Sequence, residues 1–299
     1  MRGGRGVRAV HRIPAVLAAA AAALLTLTSC DALRGAPQPA GPPTVDTAAH
    51  WRPGVGVSLP DSLANDFIQL QPTLPGQVGL AIMPVGGGRV TVFGDWSSGI
   101  AWSTIKVPLA MAALRHDSGE RVRELALAAI TVSDNDAAQA LWESLGDGLQ
   151  AGAAVQQVLD EAGDGMAAVA GPRTRLDYTA FGQTEWTLTN QVRFASRLPC
   201  LAQSDQVTDL MAHIAQDQSW GLGVIDGTEF KGGWGPDDDT GIYTVRQFGL
   251  VPTPTGRIAV ALAAQADSGD FTDAADILSK LGELVGRHIA ELQGGGCDH

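Results

Sequence analysis

Potential metal ligands are few and scattered in this sequence of 299 residues. It contains three cysteines and six histidines, with no Cys-x-x-Cys pair and no His-x-x-x-His pair. Zinc sites need such ligands in close, regular spacing. No lysine follows a glycine as a phosphate-binding P-loop requires, and no Gly-x-Gly-x-x-Gly follows a strand pattern. The sequence therefore predicts neither a metal site nor an organic cofactor.

Basic residues are also scarce, with 20 Lys and Arg against 32 Asp and Glu and a net charge of −12. The acidic residues are spread along the chain, so no positive field is available to attract nucleic acid. After residue 29 no apolar run is long enough to span a bilayer. We therefore expect a soluble body that does not bind DNA or RNA.

The first 29 residues have the pattern of a bacterial lipoprotein signal peptide. Four arginines before residue 13 are followed by an Ala/Leu-rich run from Ile13 to Leu27 and by Leu27-Thr28-Ser29-Cys30. This ending resembles a lipobox, in which the cysteine receives a lipid such as palmitate and becomes the mature N-terminus. The pattern predicts a lipid anchor on Cys30, at the outer face of the cell membrane. An ordinary cleaved signal with a chance cysteine is the alternative.

The rest of the chain divides into a tether and one domain. Residues 30–65 are rich in Pro, Gly and Ala, which is typical of a semi-extended linker. Residues 66–294 are enough for one substantial core. Once Cys30 carries a lipid, Cys200 and Cys297 remain, and an extracytoplasmic compartment permits a disulfide between them. The sequence does not show that they are close, so a bridge and two free thiols both stay open.

Hydrophobic periodicity predicts an α+β fold. Two β-prone runs lie at 77–83 and 89–93, helical patterns fill 104–215, three further β runs lie within 228–265, and a last helix spans 273–292. Strict alternation of strands and helices is absent, which disfavours a parallel α/β sheet. We expect an antiparallel five-stranded sheet with strands from both ends of the domain, flanked by helices and carrying an inserted helical subdomain.

Lysine is the scarcest basic residue, with three copies, and two of them stand in motifs that can carry chemistry. Lys106 follows Ser103 by three residues at a predicted helix start, so both side chains share one face. A lysine whose pKa is lowered by burial can deprotonate a serine without any histidine. A solvated lysine at a helix start is the alternative interpretation.

Two further motifs follow in order. Ser133-Asp134-Asn135 precedes a helical run, where it is also a plausible helix N-cap, and Lys231-Gly232-Gly233 lies on a predicted strand, where it is also a plausible strand end. Ser-x-x-Lys, Ser-Asp-Asn and Lys-x-Gly in this order resemble the active-site set of penicillin-recognising serine hydrolases, the class A β-lactamases and the penicillin-binding D,D-peptidases. The resemblance covers about residues 75–292. Its Lys106-to-Ser133 spacing is short for the family, which implies a trimmed helical subdomain.

The resemblance implies a role for each matching residue. Ser103 is expected to be the acylated nucleophile, Lys106 its proton acceptor and Ser133 the proton relay to the leaving nitrogen. Asn135 is expected to hold the substrate amide and to contact Lys106.

The third motif implies the remaining binding groups. Lys231 is expected to face the substrate carboxylate and, as a second cation, to lower the pKa of Lys106. Gly233 belongs to the same binding strand. The oxyanion is expected on the backbone N–H groups of Ser103 and Trp234.

Two departures from the family pattern limit the implied activity. Gly232 stands where the family has Thr or Ser, and losing that charge-assisted hydrogen bond costs roughly 1.5–3 kcal/mol. If the site otherwise matches the family, Gly232→Thr is expected to speed acylation. Class A enzymes also use a loop glutamate for deacylation, but the corresponding stretch, 166–171, has no acid. Glu185 is the nearest substitute, although the simpler interpretation is that its negative charge stabilises the N-terminus of the following helix.

Two functions from different classes remain. The first is a serine hydrolase acting on D-Ala-D-Ala peptides, such as peptidoglycan stem peptides, or on β-lactams, and slow to release β-lactams. The second is a catalytically weak lipoprotein of the same fold that binds or scaffolds in the cell envelope. The complete Ser103, Lys106, Ser133 and Asn135 set favours the enzyme, whereas Gly232 and the absent loop acid favour the binding protein.

Overall fold

The computed structural model of the chain describes residues 61–173 and 175–297. The predicted signal peptide, Cys30 and the tether up to residue 60 lie outside the described residues. Within those residues, no helix combines the length and apolar character that crossing a membrane requires.

The described residues form a five-stranded sheet and a separate two-stranded pair. The strands are β1 (Gly76–Pro84), β2 (Thr91–Gly94), β3 (Ser98–Ile100), β4 (Glu185–Thr187), β5 (Glu229–Pro236), β6 (Tyr243–Thr253) and β7 (Gly256–Ala266). The large sheet has the order β2-β1-β7-β6-β5 with antiparallel neighbours, and β3 pairs with β4. The strands come from both ends of the domain, so the predicted α+β fold is confirmed.

Eight α-helices occur in the same described ranges. They are α1 (Asp61–Leu70), α2 (Lys106–His116), α3 (Glu120–Thr131), α4 (Asn135–Ser144), α5 (Gly148–Glu161), α6 (Leu188–Arg197), α7 (Asp205–Met211) and α8 (Phe271–Arg287). Local signals fix several helix starts. Asp134 accepts a hydrogen bond from the Ala137 backbone N–H at 2.7 Å to cap α4, and Asp147 forms a capping box with Gln150 at the start of α5.

The large sheet separates two hydrophobic cores. On β7, Ala259, Ala261 and Ala263 face the core that contains α2 and α6, whereas Val260 and Leu262 face the core that contains α8. This split follows from the two-residue period of a strand. Because both faces are covered, β6 and β7 are almost continuously buried.

The folded region extends beyond the predicted 66–294 domain at both ends. Helix α1 begins at Asp61, inside the predicted tether, and buries Leu63 and Phe67 in the core beside α8. At the other end, Gly295 pairs with Arg257. The helical region predicted for 104–215 ends earlier, with α7 at Met211, and the last helix, predicted for 273–292, ends at Arg287.

Cys200 and Cys297 form a disulfide, with a Cα–Cα distance of 5.3 Å. The bridge joins the turn after α6 to the C-terminal segment. Its loop spans a sequence separation of 97 residues, for which chain entropy gives a stabilisation of roughly 4–5 kcal/mol.

Candidate active site

The nucleophile candidate lies in a single turn of 3₁₀ helix. Residues Trp102–Ile105 form this turn, and it continues directly into α2 at Lys106. Ser103 and Lys106 therefore lie one turn apart on the same helical segment. Pro108 fits in the first turn of α2, where its missing N–H breaks no bond. Trp102 has a φ of 51°, which is unusual for a residue with a side chain and is typical of functional sites.

Lys106 is 1% exposed and binds the Ser-Asp-Asn motif. Its Nζ donates to the Ser133 carbonyl oxygen at 2.6 Å and to Asn135 Oδ1 at 2.7 Å, and it lies 3.3 Å from Ser133 Oγ. Among the described residues, Lys106 Nζ makes no hydrogen bond to Ser103. The predicted contact between Lys106 and Asn135 is present, and the hydrogen bonds of Lys106 Nζ run to the second motif.

Burial allows Lys106 to act as a base near neutral pH. Loss of solvent around its ammonium lowers the pKa of Lys106 to about 7, and the nearby Asp134 carboxylate opposes this shift. Desolvation, and not the second cation expected from the sequence, is the principal cause. Near neutral pH, a large fraction of Lys106 is thus a free amine.

Lys231 joins the same network from strand β5. Its Nζ donates to Ser133 Oγ at 3.0 Å and to the Gly232 carbonyl oxygen at 2.9 Å. The side chain is fully buried, and burial first and the charge of Lys106 second lower the pKa of Lys231 well below its usual range. Ser133 Oγ thus stands between the two lysine amines.

Ser133, which contacts both lysines, has an unusual backbone conformation. Its φ of 57° lies in the left-handed region. The next residue, Asp134, caps α4 and fixes the chain just beyond this bend. The Ser-Asp-Asn segment therefore presents a carbonyl, a hydroxyl and an amide oxygen to Lys106.

Gly233 allows β5 to approach the nucleophile turn. A Cβ atom at this position would lie 2.7 Å from the Ser103 backbone N and 2.8 Å from that of Thr104, closer than side-chain carbons approach. Position 233 therefore requires glycine. The contact brings the strand bearing Trp234 against the start of the 3₁₀ turn, where helical N–H groups have no partner within the helix.

The indole of Trp220 lies directly beside Gly232. A Cβ atom there would lie 2.9 Å from Cη2 and 3.1 Å from Cζ2 of Trp220. The space that a threonine side chain would need is filled by this indole. A threonine at 232 therefore requires this indole to move, and the expected gain in acylation rate with Gly232→Thr depends on that movement.

A cavity of about 280 Å³ opens beside Ser103. Ser103, Lys106, Asn135 and Trp234 line it, and Ser133 and Lys231 are connected to it through the hydrogen bonds to Lys106. The remaining lining residues are Trp102, Arg173, Asp177, Tyr178, Thr179, Phe181 and Gly182. The structure thus brings the residues of all three motifs together at one cleft.

Glu185 is absent from this lining. It lies on β4, is exposed, and accepts a hydrogen bond from Ser98 Oγ at 3.0 Å. The carboxylate that lines the cavity is Asp177, from the segment before Phe181. Sequence reasoning missed it because Glu185 was chosen as the substitute for the loop acid and Asp177, which is closer to the 166–171 stretch, was passed over; the polar stretch Arg173–Tyr178 was the available signal.

The guanidinium of Arg246 binds the backbone just before the turn that carries Ser103. It donates to the carbonyl oxygens of Gly99, Ile100 and Trp186 and to Gln191 Oε1, at 2.9 to 3.1 Å. Gln191 Nε2 in turn donates to Thr104 Oγ1 at 2.9 Å. Arg246 is fully buried, none of the ion pairs among the described residues includes it, and burial lowers its pKa to about 9.

The fold is similar to that of class A β-lactamases of known structure. The TLA-1 extended-spectrum β-lactamase is 16% identical, with a TM-score of 0.62 over 76% of this chain and 98% of that chain. A class A β-lactamase from Mycobacterium abscessus is 16% identical, with a TM-score of 0.59 over 75% of this chain and 98% of that chain. A mutant of the class A β-lactamase of the last common ancestor of Gram-negative bacteria is 20% identical, with a TM-score of 0.59 over 76% of this chain and 98% of that chain.

No family model and no curated protein matches the sequence. At 16–20% sequence identity, the similarity to these solved structures shows the fold alone. The chain has the class A β-lactamase fold.

Proposed function

We propose that this chain is a lipid-anchored, extracytoplasmic serine hydrolase of the β-lactamase and penicillin-binding type, with Ser103 as the acylated nucleophile. One observation carries the proposal: a buried lysine with a pKa of about 7 lies one helical turn from a serine that lines a cavity. The class A β-lactamase fold supports the same function.

Acylation begins with proton transfer to Lys106. As a free amine, Lys106 has two N–H donors and one lone pair. Its two short hydrogen bonds, to the Ser133 carbonyl and to Asn135 Oδ1, use both donors and leave the lone pair as a proton acceptor. Rotation of the Ser103 side chain towards Nζ lets Lys106 take the hydroxyl proton while Oγ bonds to the substrate carbonyl carbon.

The tetrahedral intermediate needs donors for its oxyanion and a proton for its leaving group. The backbone N–H groups of Ser103 and Trp234, which the contact at Gly233 brings near each other, are the proposed oxyanion donors. Ser133 Oγ protonates the leaving group as the acyl bond breaks, and it regains a proton from Lys106. The Lys231 hydrogen bond to Ser133 Oγ orients this relay.

Release of the acyl group from Ser103 is the slow step of the proposed reaction. Asp177 is the carboxylate in the cavity, but it is exposed and no hydrogen bond within the described residues orients it. A base that is not held in place activates water poorly. We therefore expect acyl-enzymes formed with β-lactams to persist.

The proposed natural substrates are D-Ala-D-Ala-like peptides of the cell wall, and the proposed location is the outer face of the cell membrane. The lipobox-like Leu27-Thr28-Ser29-Cys30 supports the anchor. Cys30→Ala should release the protein from the membrane fraction. Wild-type protein with an unmodified N-terminus in the soluble extracellular fraction would contradict the anchor.

One observation favours a second function, a lipoprotein that binds cell-wall material without turnover. The Lys106 side-chain amine directs its hydrogen bonds to Ser133 and Asn135, and none among the described residues goes to the Ser103 side chain. If this arrangement persists when ligand binds, Ser103 is never activated.

Intact mass after incubation with a β-lactam separates the two functions. The hydrolase predicts a slowly formed adduct on the wild-type protein, its absence in Ser103→Ala, and β-lactam turnover far below that of a competent class A enzyme. No adduct at any β-lactam concentration, together with no D,D-peptidase activity, would favour the binding protein.

A further inference from the structure

A row of three buried polar side chains connects strand β6 to the turn that carries Ser103. Arg246 donates from its guanidinium to Gln191 Oε1 at 3.0 Å, and Gln191 Nε2 donates to Thr104 Oγ1 at 2.9 Å. The Thr104 hydroxyl donates to the Ala101 carbonyl oxygen at 2.6 Å. Arg246, Gln191 and Thr104, here called the buried network, are each 0% exposed. The buried network therefore ends on two residues, Ala101 and Thr104, that lie on either side of Ser103.

The turn between these two residues has an unusual backbone that needs support. Trp102 has a φ of 51°, in the left-handed region that residues with a side chain rarely adopt. The backbone N–H and the hydroxyl of Thr104 both donate to the Ala101 carbonyl oxygen, at 3.2 and 2.6 Å. A sparsely populated conformation persists only where the surrounding contacts hold it. The Thr104 hydroxyl supplies one of the contacts that close the backbone around Trp102 and Ser103.

Arg246 is a buried cation that the stability of the fold does not by itself explain. None of the ion pairs among the described residues includes it, and its Nε has no hydrogen-bond partner in that part of the chain. Its guanidinium also lies 5.1 Å from the centre of the Trp96 ring. Replacing buried charges by apolar side chains is often neutral or stabilising. A role in ordering its neighbours gives a reason for the charge.

The chemistry of these groups fixes the direction of each hydrogen bond in the buried network. A guanidinium only donates, so the oxygen of Gln191 must face Arg246 and its amide nitrogen must face Thr104. The Thr104 oxygen then accepts from Gln191, and its own proton is left to bind the Ala101 carbonyl. Arg246 therefore determines, through one amide, which way the Thr104 hydroxyl points.

The same turn carries one of the two proposed oxyanion donors. The backbone N–H of Ser103 belongs to the peptide unit that follows Trp102, so its direction depends on the Trp102 backbone angles. A Cβ atom at Gly233 would lie 2.8 Å from the Thr104 backbone N and 3.0 Å from the Ala101 carbonyl oxygen. Strand β5, which supplies the second donor, thus packs against the two residues that the buried network joins. An oxyanion donor is effective only when it is already aimed at the developing charge.

We propose that Thr104, held by Gln191 and Arg246, is a positioning residue for acylation that keeps the Ser103 backbone N–H directed at the oxyanion. This inference rests on the proposed function of Ser103. None of the three side chains lines the cavity. Loss of the buried network should therefore lower the saturating rate of acylation and leave the half-saturating concentration of the β-lactam nearly unchanged, because the contact is made in the transition state.

The test compares Thr104→Val and Thr104→Ser with the wild-type protein. Acylation of Ser103 is followed by intact mass over a range of β-lactam concentrations, using the full chain in detergent. Valine keeps the shape of threonine but lacks the hydroxyl, and the saturating rate should fall by about 10- to 100-fold. Serine restores the hydroxyl and should acylate faster than the valine variant.

Thr208→Val is the matched control for the loss of a buried hydroxyl. Thr208 is also buried, and its hydroxyl donates to a carbonyl oxygen three residues earlier, that of Asp205, at 3.2 Å. It lies on α7 and does not line the cavity. Thr208→Val should acylate at the wild-type rate.

Gln191→Glu interrupts the buried network without leaving Arg246 unpaired. A carboxylate accepts from the guanidinium and supplies the opposite charge, but it cannot donate to Thr104 Oγ1. This variant should remain folded in a thermal unfolding assay and acylate as slowly as Thr104→Val. It also supplies the test should Thr104→Val fail to fold.

The outcomes distinguish this inference from the function on which it rests. A wild-type saturating rate in folded Thr104→Val or in Gln191→Glu would overturn the inference and leave Ser103 as the nucleophile. Equal slowing in Thr208→Val, a Thr104→Ser variant no faster than Thr104→Val, or a change confined to the half-saturating concentration would also overturn it. Failure of the wild-type protein to become acylated on Ser103 would overturn the proposed function and the inference together.

Discussion

Replacing Lys106 with methionine should change how the stability of the protein depends on pH. Burial lowers the pKa of Lys106 from its usual 10.5 to about 7. Between these two values the unfolded chain binds a proton at this site and the folded chain does not, so the free energy of unfolding of the wild type rises with pH. The slope is about 1.4 kcal/mol per pH unit, and the full shift corresponds to about 5 kcal/mol.

The measurement is urea-induced unfolding of wild-type and Lys106→Met protein at several pH values from 6 to 9. Lys106→Met lacks the titrating amine. Lys231 is present in both proteins, and losing the charge of Lys106 raises the pKa of Lys231 in the variant, which changes the difference between the two proteins in the same direction. The difference in the free energy of unfolding, wild type minus variant, should therefore increase by about 2.3 kcal/mol from pH 7 to 9 and flatten below pH 7, where both states bind the proton. Lys280→Met, which changes an exposed lysine, should show no such trend against the wild type.

The same titration should govern acylation. Since the free amine is the base, the rate of Ser103 acylation should rise with pH to a plateau, with a midpoint near 7. A stability difference that does not change from pH 7 to 9 would refute the reasoning, because it would mean that Lys106 keeps an ordinary pKa in the folded protein.

Three further predictions concern the backbone contact, the disulfide and the release step. Gly233→Ala should destabilise the fold by roughly 1–3 kcal/mol through overpacking against the Ser103 backbone and slow acylation, as measured by urea unfolding and intact mass; unaltered rates would show that β5 does not press on the nucleophile turn. Replacing Cys200 and Cys297 together with serine should lower the free energy of unfolding by about 2–5 kcal/mol, and an unchanged urea midpoint would contradict the bridge. Asp177→Asn should slow release of the acyl group without slowing its formation, and equal release in both proteins would exclude Asp177 as the base.

The sequence could predict the parts of the site that depend on local signals. Ser103 and Lys106 are joined by one helical turn, and Ser133 precedes a helix whose cap is Asp134, so their placement follows from short-range patterns. The five-stranded sheet was predictable for the same reason, since each of its long strands has a clear apolar run.

Other features depend on contacts between distant segments. Strands β3 and β4 have three residues each and are paired across more than eighty residues, too short to give a periodic signal. Trp220 fills the space beside Gly232, and Arg246 holds the carbonyls before Ser103, but neither side chain belongs to a motif. Their roles come from packing, which alternation of polar and apolar residues does not encode.

The central claim, that Ser103 becomes acylated, is tested most directly by the intact mass of the wild-type chain and of Ser103→Ala after incubation with a β-lactam. We expect a slow mass increase on the wild-type protein equal to the whole β-lactam, whose ring opens on the serine, with the modified peptide containing Ser103, and no increase for Ser103→Ala. An unmodified wild-type mass at every β-lactam concentration, or an equal increase in Ser103→Ala, would contradict it.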